Sequence, residues 1–482
     1  MRPWELLTLS AKNEESLYIL ADRMAETLEH HPDWSLLDVC HTANAGRTAY
    51  AHRVALVASS LDEIQAELAF LAQNHTCRRG RKHQVAPREE VLVAYCFGGS
   101  ADWQPGLTGS LYAHEPIFRE AIQACAAVAR ELFGVTLTEI IYPSATAPST
   151  PLTERDRTLA AFATQYALAQ TWRAWGLAPA ALHGRDDGLY AAACCAGLVT
   201  LEDGLRLTAA RGELISQVLR PAAALEVFAT REQVAPLLVT DASSLRIARV
   251  ISPQRLVVGG AADAIDRLAE AALGRGLRIR RPSWPRIANT PLVEGGVAEF
   301  RRVAQRVIPQ RANVALMCEL TGRLLDAASL SADYWCRHVS ETLDEERAQD
   351  QLIRLAPVWL ELGLVGSGGD APDLADRPCR LPVLQRGEDA WRTLLATLGT
   401  LYLLGAQVEW GRIYRSCRPS RVVLPTYPFQ RERFWVETSI APSQNGWETH
   451  TSEPPSLSWH PLIDRSVEAD DGPWLTEVDS AP

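Results

Sequence analysis

The sequence predicts an α/β protein: a doubly wound core that carries a small α+β subdomain and follows a separate α/β unit. Three observations predict this. Residues 90–97, EVLVAYCF, form a continuous apolar run of the kind buried on both faces of a parallel sheet. Helical periodicity alternates with such runs as far as residue 218. The stretch Gly184-Arg185-Asp186-Asp187-Gly188 links a short apolar strand to a small-residue helix through a tight Gly-x-x-x-Gly turn. That is the shape of an elbow holding one side chain over a cleft, and the position that would carry a serine holds Asp186.

Bulk properties exclude several classes. The 482 residues are 47% hydrophobic and 22% charged, an ordinary globular composition long enough for several domains. A net charge of −10 argues against a nucleic-acid groove. The basic run Arg78, Arg79, Arg81 and Lys82 reads as a solvated linker. No run of 18 apolar residues occurs, so no membrane span is expected, nor does an apolar signal core follow Met1. The ten cysteines show no Cys-x-x-Cys pair and no metal spacing, which fits reduced thiols of a cytoplasmic protein.

Residues 1–88 read as the first α/β unit. Residues 6–10 and 50–58 have strand character, and 13–30 place Leu17, Leu20, Ala21, Met24 and Leu28 at helical spacing. A short helix is expected over 35–40, and Ser60 caps another whose first turn holds Asp62 and Glu63. Residues 74–90 are polar and basic and read as a linker. The core is expected over 89–223 and 286–375. Within it, 158–175 form a long helix stopped by Gly176, 179–182 a strand, and 201–218 a helix. Residues 224–285 change character: strands at 225–228, 244–250 and 255–258, then a helix over 262–275 after Gly259-Gly260, suggest a ferredoxin-like β-α-β-β-α-β unit. A Gly/Asp/Pro loop spans 366–376 and a helix 390–405. Residues 376–438 end in a Pro- and aromatic-rich extended segment, and 439–482 read as a flexible tail.

Several short motifs resemble one family. Gly46-Arg47-Thr48 followed by Ala51-His52-Arg53 resembles the signature of a ketosynthase-to-acyltransferase linker. Residues Ala169 to Gly176 resemble the helix before an acyltransferase elbow, and Ala191-Ala192-Ala193-Cys194 with Leu201 to Leu205 resemble the helices after it. Leu424-Pro425-Thr426-Tyr427-Pro428-Phe429-Gln430-Arg431 is similar to the post-acyltransferase tail, and Trp459-His460-Pro461-Leu462 to a dehydratase opening. Nearly the whole chain thus resembles the acyltransferase region of a modular type I polyketide synthase, with an α/β-hydrolase-like core. Met1 places the linker at the chain's own N-terminus, which fits either an excised piece or a natural split module.

The resemblance implies transfer of a malonyl-type acyl group from coenzyme A to the phosphopantetheine arm of an acyl carrier protein. It implies a serine on the elbow, a distant histidine base, an oxyanion loop rich in glycine and glutamine, and an arginine for the malonyl carboxylate. Gly184 and Gly188 match. The elbow histidine is replaced by Arg185 and the serine by Asp186, with Asp187 adding like charge. Asn289 stands at the base position, and the selectivity motif falls on Arg286 to Asn289, Ala288 included. In the oxyanion loop, residues 97–103, Gly99 and Asp102 replace both glutamines. Arg211 matches the carboxylate-binding arginine and is equally suited to pairing with Asp186 or Asp187. Rescue of a mechanism by His183, Ser100, His114 or Cys194 finds no supporting partner; His183 reads as a strand-end histidine bonded locally.

Three readings stay open. In the first, the protein is a catalytically degenerate scaffold that docks a ketosynthase, a carrier protein or a separate trans-acting acyltransferase, its elbow plugged by charge. In the second, it is an acyltransferase or thioester hydrolase with altered chemistry at Asp186. In the third, it is a sensor that binds a small molecule or an acyl-coenzyme A without turnover. No cofactor beyond a coenzyme A or phosphopantetheine thioester ligand is implied, and no metal.

Overall fold

The computed structural model describes residues 2–78, 80–85, 91–144, 151–218, 222–282, 288–365, 374 and 378–430. Arg79, Arg286, most of the 366–376 loop, Arg431 and the tail from 439 lie outside the described residues.

The first unit is a three-stranded antiparallel sheet in the order Glu5–Ala11, His52–Ala58, Arg81–Gln84. Helices Glu14–His30 and Leu61–Asn74 pack together over it, burying the expected Leu17, Leu20, Ala21, Met24 and Leu28. The Ser60 hydroxyl accepts from Glu63 N at 3.2 Å, as the capping pattern predicts. The short second helix runs further than expected, Leu36–Ala45. The expected linker needs correction. Arg81–Gln84 is an edge strand, Arg81 pairing with Ala55 and Gln84 with His52. Its residues are half-buried or exposed, so charged side chains hide the strand from hydropathy while suiting an edge. Asn44 ties this unit inward. It accepts from Thr8 N and Oγ1 at 2.8 Å and donates to Leu6 O at 2.6 Å and Tyr414 Oη at 2.9 Å. The extended segment before residue 430 also lies here: Leu424 is buried in the unit's core, and Arg47 donates to Pro425 O at 2.5 Å.

The central sheet has six strands in the order Leu324–Leu325, Ala315–Met317, Ala181–Gly184, Val93–Phe97, Val358–Val365, Cys379–Gln385. All pairings are parallel except that of Leu324–Leu325. Val93–Phe97 sits inside the sheet with every residue buried, which explains its unbroken apolar run. Helix Glu154–Ala174 buries thirteen residues; Gly176, at φ 90°, ends it in a conformation glycine adopts without strain. Trp172, Trp175 and Trp391 stack edge to face beside it. The strand expected over 179–182 runs Ala181–Gly184 instead, because its register is set by the neighbour: Ala94 pairs with Ala181 and Phe97 with Gly184. The elbow therefore opens at the carboxyl ends of the parallel strands, where open α/β sheets place their ligands.

The second sheet runs Leu343–Asp344, Leu245–Ser252, Arg255–Ala261, Ala222–Phe228, Arg278–Arg280. With helices Arg231–Leu238 and Ala262–Gly274, residues 222–280 follow the expected β-α-β-β-α-β order. Two details differ. Gly259 and Gly260 lie within the strand rather than beyond its end, and Gly260 passes so close to Ser244 O that a Cβ there would collide with it. A fifth strand, Leu343–Asp344, pairs in parallel with Arg249 and Val250 although it lies some ninety positions later in the chain. Among the described residues no helix is long and apolar enough to cross a membrane.

Candidate active site at the elbow

The turn forms because its glycines leave no alternative. A Cβ on Gly188 would lie 2.5 Å from the carbonyl oxygens of Phe97 and Gly98, and one on Gly184 would lie 2.6 Å from Leu189 N. Arg185 N donates to Phe97 O at 2.8 Å, docking the turn on the central strand. At its apex Asp186 takes φ 55°, a left-handed conformation sparsely populated by residues with a side chain. Helix Gly188–Cys195 starts immediately after.

Each side chain of Arg185-Asp186-Asp187 is held by opposite charge. Asp186 pairs closely with Arg211, from helix Leu201–Ser216, and with Arg249, from the second sheet, at 3.5 Å. Asp187 lies 3.6 Å from Arg211. Arg185 reaches Glu361 at 2.5 Å and Glu345 at 3.6 Å, and Arg249 also reaches Glu345 at 3.7 Å. Arg380 adds a contact to Glu361 at 3.3 Å. Glu319 accepts from Asp186 N at 3.0 Å. The result is a buried ionic network that spans the elbow, the central sheet and the second sheet.

The titration directions reflect this packing. Burial pushes the Glu319 carboxyl up to about 7, against the opposing pull of Arg249. Burial also acts on Asp186, but Arg211 and Arg249 overcome it and hold that carboxyl below its usual value. Asp187 moves the other way: burial raises it, and the Asp186 charge adds to the effect. Arg211, despite burial, is stabilised as a cation by both aspartates. Arg185, Arg211, Arg249 and the half-exposed Arg380 thus face the carboxyls of Asp186, Asp187, Glu345 and Glu361, so each cation of the network has a carboxyl within reach.

The structure distributes the expected site residues unevenly. Gly99 presses on the elbow, its Cβ direction meeting Asp187 Oδ1 at 3.3 Å. The loop amide beside it is already engaged, Ser100 N donating to Asp187 Oδ1 at 2.8 Å. Asp102 does not face this pocket; it is half-exposed and pairs with Arg386 at 3.4 Å, because the short 3-10 turn Ser100–Asp102 points it outward. Ala288 is buried. Asn289, at φ 50°, donates its amide to the main-chain oxygens of His338 and Glu341, both at 2.6 Å. His183 is buried with its Nε2 3.8 Å from Glu319 Oε1, facing a carboxyl rather than open cleft, and burial lowers it to about 4.

Sequence reasoning missed Arg249, Glu319, Glu345 and Glu361. They come from two strands in different sheets, one helix and the turn after Ala315–Met317, and no spacing links them to the elbow.

An elbow at the carboxyl edge of a parallel sheet, with a small α+β sheet inserted after the elbow's helices, defines an acyltransferase-type α/β protein. Residues 94–358 match the acyl transferase domain family, and residues 5–68 match the CurL-like C-terminal family of polyketide synthases. The chain belongs to the acyl transferase domain family of polyketide synthases. It is 28% identical to the polyketide synthase GfsA of Streptomyces halstedii over 90% of its own length and 6% of that protein. It is 29% identical to the spectinabilin synthase protein NorB of Streptomyces orinoci, over 97% of this chain and 22% of that one. The chain thus spans under a quarter of the length of these relatives. Among solved structures, the acyltransferase domain from the second module of the salinomycin polyketide synthase is 29% identical with a TM-score of 0.70, covering 87% of this chain and 98% of that one. The acyl transferase domain of ZmaA shares the fold at a TM-score of 0.80 and 24% identity, covering 88% and 99%.

Proposed function

We propose that this chain is a non-catalytic acyltransferase-like element of a polyketide assembly line. It acts as a docking piece beside a ketosynthase and an acyl carrier protein, with a separate acyltransferase supplying acyl groups. The observation that carries this reading is the state of Asp186: the residue at the nucleophile position is bound by two arginines from two elements. A carboxylate attacking a thioester would form a mixed anhydride more reactive than its precursor, so the acyl group would be lost to water. Asn289 has no titratable nitrogen with which to take a proton. Arg211, the one group suited to a malonyl carboxylate, is already neutralised by Asp186 and Asp187. The first unit and the segment packed on it keep well-formed cores, which suits a role in contacts rather than turnover.

Intact-mass measurement after incubation with malonyl-coenzyme A and methylmalonyl-coenzyme A tests this. The expected result is unmodified protein and no excess thioester hydrolysis. An acyl adduct, or hydrolysis, that disappears in Asp186→Ala would overturn it.

A further inference from the structure

Two arginines from different elements converge on one carboxylate at the elbow apex. Asp186 offers Oδ1 to Arg211, its closest partner, and Oδ2 to Arg249 Nη2 at 3.5 Å, so each oxygen has its own guanidinium. The cations lie deeper than the anion they share. The side chains of Arg211 and Arg249 are 4% and 15% exposed, and that of Asp186 is 24% exposed. The carboxylate is thus the member nearest solvent, seated in front of the arginines rather than behind them. Their other carboxyl contacts are looser: Arg211 Nη1 stands 3.6 Å from Asp187 Oδ2, and Arg249 Nη1 3.7 Å from Glu345 Oε2. Arg211 Nε has no hydrogen-bond partner among the described residues. Removing the Asp186 carboxylate would therefore leave two poorly hydrated cations side by side at an opening, a demand for an anion.

We propose that Asp186 is a tethered ligand: Arg211 and Arg249 together form a binding site for a small carboxylate, and the elbow fills that site with its own side chain. Arg211 was expected to meet a carboxylate; Arg249, delivered by the second sheet, is a further binding residue. The proposal rests on the reading of the elbow as plugged rather than acyl-transferring. A free carboxylate loses translational freedom on binding, whereas Asp186 is already in place, so the native chain excludes free carboxylates from the site.

Vacating the site tests this. Glycine adopts the φ of 55° held by Asp186 without strain, so Asp186→Gly keeps the turn while removing a CH2–carboxylate group, the volume of an acetate ion. Thermal midpoints are compared in sodium acetate and in sodium chloride at equal ionic strength and pH 7. Acetate should raise the midpoint of Asp186→Gly by about 2 °C or more over chloride, because it binds only the folded form. The native protein should show no difference between the salts, and neither should Asp186→Asn, whose amide fills the same space without the charge. Asp186→Gly/Arg249→Ala should lose at least half of the rise. No rise in Asp186→Gly would overturn the proposal, as would an equal rise in Asp186→Asn. An undiminished rise in the Arg249→Ala double variant would also overturn it, since Arg249 would then not be part of the site. If Asp186→Gly is recovered unfolded, its refolding yield from urea in acetate against chloride takes the place of the midpoint, and equal yields refute the assignment. The mass experiment on the native chain reads acyl transfer and hydrolysis, not binding to a vacated elbow, so the two readings can fail separately.

Discussion

Arg211→Ala probes the elbow network most directly. The Arg211 side chain is 4% exposed and meets Asp186 and Asp187 together. Without it, Asp186 retains Arg249 at 3.5 Å, and Asp187 retains only the Ser100 amide. One buried carboxylate is then left without a cation. Breaking a buried pair from one side costs about 3–5 kcal/mol, a large part of the roughly 5–15 kcal/mol that holds a typical protein folded. Urea unfolding followed by tryptophan fluorescence reads this, since Trp172, Trp175 and Trp391 lie in the same core. Adding Asp186→Asn and Asp187→Asn to Arg211→Ala should recover at least half the loss, because the stranded charges are gone. The pH dependence has a defined sign. The Asp186 carboxyl is held below its ordinary 3.8, so its contribution is present above that pH and is lost as pH falls through the lower folded value. The gap between native protein and Arg211→Ala should therefore narrow in acid. A single-variant loss under about 1 kcal/mol, or a triple variant as unstable as the single one, would refute the account of the network as a set of mutually required charges.

Other parts of the structure set three further expectations. Glu319→Gln keeps an acceptor for Asp186 N but cannot ionise. The native carboxyl, raised to about 7, contributes fully below its ordinary 4.5 and loses that contribution as pH rises through 7. The variant should therefore gain on the native protein by about 3 kcal/mol between roughly pH 4.5 and 8 in urea titrations; a constant difference would show that the Glu319 carboxyl is not raised in the folded protein. Gly188→Ala would drive a Cβ into the Phe97 and Gly98 carbonyls, so a loss of about 3 kcal/mol or of soluble expression is expected, and a stable variant would show that the turn is not closed in this way. Asn44→Leu leaves Thr8 N unpaired in the core; thermal denaturation should register a cost of about 1–3 kcal/mol, and an unchanged midpoint would show that the Asn44 bonds do not hold the first unit to Tyr414.

Much of this protein was legible in its residues taken in order. Local rules suffice where a feature depends on near neighbours: the buried run ending at Phe97, the Ser60 cap, the stop at Gly176, and the paired glycines that compel the elbow. The charges on that elbow also offered Arg211 partners there, as an alternative to a ligand carboxylate, and the folded chain makes those pairs. Folding alone decided the rest, because it depends on which distant elements lie side by side. Arg81–Gln84 becomes a strand only through pairing with His52–Ala58, and Leu343–Asp344 only through pairing with Leu245–Ser252. Arg249, Glu319, Glu345 and Glu361 lie on segments scattered widely along the chain. Each alone reads as a surface charge. They become a single network because burial removes water as the competing partner, and each charge must then be answered by another side chain.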